Sequence, residues 1–298
     1  MDRQLSSLII EVRVNEYAMR DENPAVPWTP REIADDASAC RAAGASIVHF
    51  HGRANDGAPD HRFEVYRDAM LAIRESSDIL IHPTLGYVNL DASAEERLSN
   101  VMRLAADPRT RPDFAPMDMG STNVDWYEPE TPRFRTEGLI YKNGTDTLAY
   151  FARSIADAGM TPALVMWNVS FVRQMNAFLD IGLLKDPCWV SLLMTEGISV
   201  AAHPATERGL TAYLDFLPGD RRILWAACNG SGSILPLLDK IITSGGHIQL
   251  GLGDHHYAEI GRPSNAELIH RISERARELG RKVATPAEVK RALNMANG

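Results

Sequence analysis

Two histidines stand one residue apart in the apolar stretch Ala45–Arg53, at His49 and His51. Side chains two residues apart on a β-strand share a face, so both imidazoles can reach one cation. Neutral imidazole suits zinc, and a catalytic zinc commonly has three protein ligands and one open position. The spacing predicts two of those ligands, although it fits equally well two histidines that are hydrogen-bonded inside a sheet.

Polar residues also stand at or just after the ends of most of the other apolar stretches. The first stretch carries Glu11, Arg13 and Asn15 in alternation, with Glu16 directly after them. The remaining candidates are His82, Thr84, Asp118, Ser121, Asn168, Glu196, Asn229, Asp254, His255 and His256. A histidine pair beside carboxylates and an arginine suggests a metal site for a carbonyl or carboxylate substrate, with the cation as Lewis acid. We expect His61, His203 and His270 to lie away from the chemistry, on loops or on the last long helix.

These residues sit in a regular alternation of apolar, β-branched runs and helix-period segments, which is typical of a parallel sheet. Capping signals begin helices at Thr29, Ser93, Ser264 and Thr285, each followed three residues later by a glutamate. The predicted strands are Ser7–Val14, the histidine stretch, Ile79–Thr84, Phe114–Met119, Thr161–Val169, Trp189–Met194, Ile223–Cys228 and His247–Leu252. The predicted segment Ser121–Gly144 is a long irregular loop after the fourth strand.

Eight strands, each followed by a helix, predict an α/β fold of the TIM or (β/α)8 barrel type. A doubly wound sheet is the weaker alternative, because no G-x-G-x-x-G turn and no P-loop occurs. We expect one domain over residues 1–298, with a C-terminal helical extension. In such a barrel the active site lies at the carboxyl ends of the strands, which is where the polar candidates fall.

The amino-acid composition narrows the classes of partner that the protein is expected to bind. The chain has 298 residues with 31 Lys and Arg against 39 Asp and Glu, a net charge of −8. No basic field for nucleic acid or for a membrane surface is present, so we expect a small-molecule partner. Three scattered cysteines indicate reduced thiols, and no signal-peptide or membrane-spanning stretch is evident, which predicts a cytoplasmic protein.

Three stretches resemble the β-keto acid cleavage enzymes, a family that includes 3-keto-5-aminohexanoate cleavage enzyme. They are Asn23–Pro30, Gly44–Arg53 and Gly245–Asp254, and the resemblance extends over nearly the whole chain. It implies a (β/α)8 barrel that binds zinc, uses acetyl-CoA as co-substrate and assembles as a homotetramer. It further implies that His49 and His51 are metal ligands, that Asp254 is the catalytic base and that Thr84 is the catalytic hydroxyl residue of strand three.

The sequence departs from the family pattern at four positions. The family's third zinc ligand, a glutamate, is replaced by Gly253, and its substrate-binding arginine by Gln249. A family glutamate and a family threonine fall on Val165 and Pro116. The third ligand is therefore open: Glu11, Asp118, Asp254 or His255 completes the site, or metal binding is weak. We predict that Gln249, Glu16, Ser121 and Arg13 contact the substrate.

The predicted reaction converts a β-keto acid and acetyl-CoA into acetoacetate and a new CoA ester. Two alternatives stay open at this point. One is a metal-dependent lyase or hydrolase that acts on a keto acid without CoA, and the other is a small-molecule binding barrel without catalysis.

Overall fold

The computed structural model describes residues 6–85 and 92–295, and eight parallel strands alternate with helices along them. The strands are β1 (Ile10–Arg13), β2 (Ile47–Phe50), β3 (Leu80–Pro83), β4 (Phe114–Asp118), β5 (Thr161–Met166), β6 (Cys188–Met194), β7 (Ile223–Asn229) and β8 (His247–Leu250). The helices are α1 (Pro30–Ala43), α2 (Phe63–Ser76), α3 (Ala94–Ala105), α4 (Thr145–Asp157), α5 (Val169–Asp180), α6 (Glu207–Leu214), α7 (Leu238–Thr243), α8 (Asn265–Glu278) and α9 (Pro286–Ala292).

The strands are hydrogen-bonded side by side in the order β3, β2, β1, β8, β7, β6, β5, β4. The two outer strands also meet, because the Asp113 amide just before β4 donates to the Ile81 carbonyl of β3 at 3.0 Å. The sheet therefore curls into a barrel with the helices outside, and the predicted (β/α)8 fold is confirmed. We call the end of the barrel at the carboxyl ends of the strands the mouth.

The opposite end of the barrel is filled with apolar side chains. Val289 and Leu293, at the C-terminal helix α9, belong to one buried cluster with Ile9, Ile47 and Trp189 from the barrel interior. Burial of a large aliphatic side chain stabilises the fold by about 1.5–3 kcal/mol. Since this end is plugged, the polar side chains that line the barrel can meet a ligand only at the mouth.

Local signals in the sequence set the starts of several helices. The predicted capping boxes form at Thr29 with Glu32, Ser93 with Glu96, Ser264 with Glu267, and Thr285 with Glu288. Each satisfies otherwise unpaired amide groups of the first turn. None of the described helices is long and apolar enough to cross a bilayer.

The segment between β4 and α4 differs from the irregular loop predicted for it. Two short antiparallel pairs form, Thr122–Asn123 with Ile140–Tyr141 and Tyr127–Glu128 with Arg133–Phe134. A long connection must pair its backbone groups, and here they pair with each other. The segment contacts the loop after β6, where the Tyr127 amide donates to the Ile198 carbonyl at 2.9 Å.

The fifth strand is shorter than predicted. It ends at Met166, because Asn168 serves as the N-cap of α5 and accepts a hydrogen bond from the Ser170 amide at 3.0 Å. An Asn side chain at this position satisfies an amide that the helix leaves unpaired. Asn168, a candidate for the strand-end site, is thereby engaged in helix capping.

One half-buried carboxyl in α1 gives a testable stability effect. Burial raises the pKa of Asp36 to about 7, while a hydrogen bond from Asn265 opposes the shift. The folded chain therefore holds this proton to higher pH than the unfolded chain does, so its free energy of unfolding falls as pH rises from about 4 to about 7. Asp36→Asn should thus be more stable than wild type, and the gain should be about 2 kcal/mol larger at pH 8 than at pH 5.

Denaturant unfolding at both pH values measures this difference. The control is Asp35→Asn, since the Asp35 side chain is exposed beside Arg31 and should show the same small effect at pH 5 and pH 8. A gain for Asp36→Asn that does not change with pH would contradict the raised pKa of this carboxyl.

Candidate active site and metal centre

Neighbouring strands bring the histidines together at the mouth. In the sheet register His49 of β2 lies beside Arg13 of β1 on one side and His82 of β3 on the other. His51 follows β2 directly, and the centroids of the His49 and His51 rings are 5.2 Å apart. The two imidazoles therefore share a face, as their spacing predicted.

The Glu16 carboxylate lies against both imidazoles. One of its oxygens, Oε2, is 2.6 Å from His51 Nε2, and the other, Oε1, is 3.1 Å from His49 Nε2. Arg13 reaches the same carboxylate, with its NH2 group 2.9 Å from Oε1. Burial favours the neutral acid, but the charge of Arg13 above all, with contributions from the His51 and His49 rings, holds the pKa of Glu16 well below its usual value. Glu16 is therefore a buried anion at the centre of the site.

The orientation of the His49 ring leaves one nitrogen free for a cation. Its Nδ1 lies 2.8 Å from the His82 carbonyl oxygen, which can only accept, so Nδ1 carries the proton of the neutral ring. Burial lowers the pKa of His49 to about 4, and the ring is neutral at pH 7. Nε2 then faces Glu16 with a lone pair. This is the arrangement in which an imidazole can bind a metal.

A second layer of polar residues lies below the histidines. The Glu11 carboxylate is fully buried and accepts hydrogen bonds from His82 Nδ1 at 2.7 Å, Trp189 Nε1 at 3.0 Å and Gln249 Nε2 at 2.7 Å. Burial alone would favour its neutral form, but His82 in particular lowers the pKa of Glu11 to about 2. This layer braces His82, whose carbonyl in turn fixes the His49 ring.

Asp254 lies on the other side of Arg13. Its Oδ1 accepts a hydrogen bond from Arg13 Nε at 2.8 Å, and its Oδ2 is buried without a hydrogen-bond partner. Burial raises the pKa of Asp254 to about 7, with Arg13 opposing the shift and Glu16 reinforcing it. A carboxyl with this pKa and a free oxygen can take up and return a proton near neutral pH.

Among the described residues, two groups bring three possible ligand atoms within 4.8 Å of one another. They are Glu16 with His49 and His51, and Glu11 with His49 and His82. The nitrogen and oxygen donors of the first group match the preferences of zinc. Glu16 Oε1 is buried there without a well-directed hydrogen bond, which leaves it available to a cation. The residues present therefore fit a zinc ion.

The other predicted site residues occupy different positions. Gln249 lies below the mouth, where its amide donates to Glu11 and, at 2.7 Å, to the Ser191 hydroxyl. Thr84 follows β3 at the mouth, with its amide hydrogen-bonded to the Phe50 carbonyl. The Ser121 hydroxyl accepts from the Asn143 amide at 2.8 Å.

The residues that the sequence offered as a third metal ligand also lie in different places. Asp118 accepts hydrogen bonds from Trp167 Nε1 at 2.6 Å and from the Tyr141 hydroxyl at 3.0 Å. His255 faces Glu259 near the surface, 3.1 Å away. Of the four candidates from the sequence only Glu11 shares a group with a histidine of the pair, and the proximity of Glu16 to both rings was not foreseen.

Comparison with known protein families gives a match over nearly the whole chain. Residues 7–295 match the sequence model of the beta-keto acid cleavage enzyme family. A 3-keto-5-aminohexanoate cleavage enzyme of Fusobacterium nucleatum subsp. nucleatum is 28% identical over 279 residues, which cover 93% of each chain. A 3,5-dioxohexanoate:acetyl-CoA acetone transferase of Paraburkholderia graminis is 26% identical, covering 92% of this chain and 90% of its own.

Among solved structures, the apo structure of ObcA is similar with a TM-score of 0.69 and 13% sequence identity. The match covers 92% of this chain, which spans only 66% of the length of ObcA. At that identity the likeness supports the barrel fold alone.

Proposed function

The chain belongs to the β-keto acid cleavage enzyme family, and from this membership we propose that it catalyses a metal-dependent exchange between a β-keto acid and acetyl-CoA. The products are acetoacetate and the CoA ester of the remaining acyl group. One observation carries the metal dependence: the Nε2 atoms of His49 and His51 converge on the same buried carboxylate at the mouth.

The residues that would hold the cation are His49, His51 and a neighbouring carboxylate, of which Glu16 is the nearest. A bound zinc would act as a Lewis acid toward the keto and carboxylate oxygens of the substrate. His82 and Glu11 keep the His49 ring in the tautomer that presents Nε2. The protein thus supplies a fixed set of donors with an open side toward the mouth.

Asp254 is the base in this proposal. Its free Oδ2 takes a proton from the carbon between the two carbonyl groups, and the carbanion attacks the acetyl thioester, which releases CoA thiolate. The thiolate then adds to the original ketone, the carbon–carbon bond next to it breaks, and the departing carbon takes a proton back from Asp254. Arg13 holds Asp254 through its Oδ1, so that the other oxygen stays directed away from the guanidinium.

The proposed substrate is a β-keto acid, and the chemical group at the end away from its carboxylate is not specified by this proposal. The relatives are named for substrates with different groups at this end, so the common element is the β-keto acid itself. Arg13 and Glu16 line the site, and Thr84 lies at the same end of the barrel. We retain Thr84 as a catalytic residue and Ser121 and Gln249 as substrate-binding residues, as predictions. A cytoplasmic homotetramer is the expected form of the enzyme.

The test uses acetyl-CoA labelled with carbon-13 in both acetyl carbons and a panel of β-keto acids with acidic, neutral and amine-bearing side groups. Mass spectrometry should find the label in acetoacetate and an unlabelled new CoA ester. This outcome separates the proposal from its alternatives.

Breakdown of a keto acid without acetyl-CoA would instead indicate a CoA-independent lyase or hydrolase. Binding of panel members without any product, by a correctly folded protein loaded with zinc, would indicate a binding barrel. Either result contradicts the proposed reaction.

A further inference from the structure

We propose that Glu16, carried by the loop after β1, is the third protein ligand of the cation, and that Gly253 is the residue that lets it reach the histidines. The inference rests on the metal site of the proposed function and names the ligand that its sequence left open. It assigns Gly253 the role of a positioning residue, since it has no side chain to offer a metal.

The first argument concerns the atoms between Glu16 and His49. Glu16 Oε1 is buried without a well-directed hydrogen bond, and His49 Nε2 faces it with a lone pair, since Nδ1 lies 2.8 Å from the His82 carbonyl oxygen, which can only accept. Two electron-rich atoms thus face each other at 3.1 Å. A cation between them removes the repulsion and satisfies both, which is what a metal ligand pair requires.

The second argument concerns space. A Cβ atom added to Gly253 would lie 2.5 Å from Glu16 Cγ, 2.8 Å from the Glu16 amide nitrogen and 3.0 Å from the Arg13 carbonyl oxygen. Any larger residue would therefore push back both the backbone and the side chain of Glu16. The Gly253 amide also donates to the Arg13 carbonyl at 3.0 Å, which ties the two segments together.

The third argument concerns the backbone that carries Glu16. Its φ of 33° lies in the left-handed region, which costs about 1 kcal/mol or more for a residue with a side chain. The buried Arg53 guanidinium holds this conformation by donating to the carbonyls of Asn15 and Ala18, at 3.1 and 2.8 Å, and to that of Glu16 at 2.6 Å. Backbone strain that neighbouring residues enforce at a site is a mark of functional positioning.

The Asn15 side chain adds a direct link to the histidines. Its Oδ1 accepts from the His51 amide at 2.9 Å, and its Nδ2 donates to the His51 carbonyl at 3.0 Å. The residue before Glu16 is thus paired with the backbone of one of the two metal ligands. Hydrogen bonds thus join the segment that carries Glu16 to the segment that carries His51.

The second group of possible ligands fits a cation less well. Glu11 already accepts three hydrogen bonds, from His82, Trp189 and Gln249, and has little capacity left for a metal. His82 Nδ1 is used in one of these bonds, which leaves that ring only its Nε2 for a cation. His49 cannot serve both groups through its single free nitrogen, and Nε2 faces Glu16.

The experiment measures zinc affinity by competition with a chromogenic chelator on the full chain. Glu16→Gln keeps the size of the side chain and removes its charge, and should weaken zinc binding about 100-fold or more; loss of a residue that merely orients a ligand costs 10–100-fold. Gly253→Ala removes no ligand atom and should weaken binding at least about tenfold by displacing Glu16. The cobalt-loaded protein gives a second readout, because its visible absorption should change in both variants.

Two matched controls come from the same chain. Glu22→Gln removes a glutamate from the same loop, where it faces His256 rather than the histidine pair. Gly219→Ala adds a Cβ where nothing lies within 4 Å. Both should bind zinc as the wild type does. Thermal unfolding identifies a variant that fails to fold. If Gly253→Ala fails to fold, the zinc affinity of the isosteric Glu16→Gln variant tests the inference.

Wild-type zinc affinity in folded Glu16→Gln would overturn the inference, and so would a wild-type protein that binds no zinc. Acetoacetate formation, measured on the same preparations, separates this inference from the proposed function. Glu16-dependent zinc binding without turnover of any keto acid leaves the ligand assignment standing and removes the reaction. Zinc-dependent turnover by a protein whose Glu16→Gln variant binds zinc as tightly as the wild type leaves the proposed reaction standing and removes the ligand assignment.

Discussion

Replacement of His49 by alanine is expected to lower kcat/KM by about a thousandfold or more and to weaken zinc binding at least 100-fold, without unfolding the barrel. The His49 side chain supplies the Nε2 atom that faces Glu16, from a position between Arg13 of β1 and His82 of β3 in the sheet register. A thousandfold loss corresponds to about 4 kcal/mol of transition-state stabilisation, within the range expected of a Lewis acid at a developing negative charge.

The measurement pairs steady-state kinetics with the zinc content of the purified protein. His270→Ala is the matched control, since this histidine is exposed on α8 beside Glu274 and should leave both quantities unchanged. Excess zinc should partly restore His49→Ala if weakened binding is the cause of the loss. Full activity in a zinc-free His49→Ala protein would contradict the proposed metal dependence of the reaction.

The local parts of this structure could be predicted from the sequence. The side-chain period of a strand placed His49 and His51 on one face, and the structure confirms it. The capping box at Thr29 fixed the start of α1 through contacts within four residues. The barrel itself followed from the count of alternating elements. Each inference needed only the chemistry of neighbouring residues.

The ligand set could not be predicted in the same way, because it depends on contacts between distant residues. Gly253 lies far from Glu16 in sequence, and the two meet only because β8 pairs with β1 when the barrel closes. The positive φ of Glu16 is enforced by Arg53 on a third segment. A glycine at position 253 therefore looks like a lost ligand in the sequence, whereas in the fold it makes room for a carboxylate.

The hydrogen-bond network around Glu11 below the mouth could not be predicted from the sequence for a related reason. Gln249 stands where the family resemblance expects an arginine, and contact of its neutral amide with the substrate stays a prediction. In the structure its amide donates to the buried Glu11 carboxylate, which also accepts a hydrogen bond from His82 Nδ1. Whether a side chain at a strand end faces the ligand or the layer beneath depends on its depth in the barrel, which sequence spacing alone does not give.

Asp254→Asn is expected to lower kcat by about a thousandfold while KM and zinc affinity stay within a few-fold of wild type. Proton transfer by a positioned base contributes about 10²- to 10⁴-fold, and the amide cannot take up the proton. The substitution preserves the shape of the side chain and the oxygen that accepts from Arg13 Nε. It also leaves His49, His51 and Glu16 in place, so the loss should appear in the chemical step alone.

The pH dependence gives an independent readout of the same residue. Burial raises the pKa of Asp254 to about 7, against the effect of Arg13, and the base is active only when it has lost its proton. Wild-type kcat/KM should therefore rise with pH and level off above about 7, whereas the residual activity of Asp254→Asn should lack this step. If the variant kept the rising limb and most of its kcat, the proton would have to go to another group. The Glu11 carboxylate is unsuited to that role, because it is ionised but enclosed by three hydrogen-bond donors below the mouth.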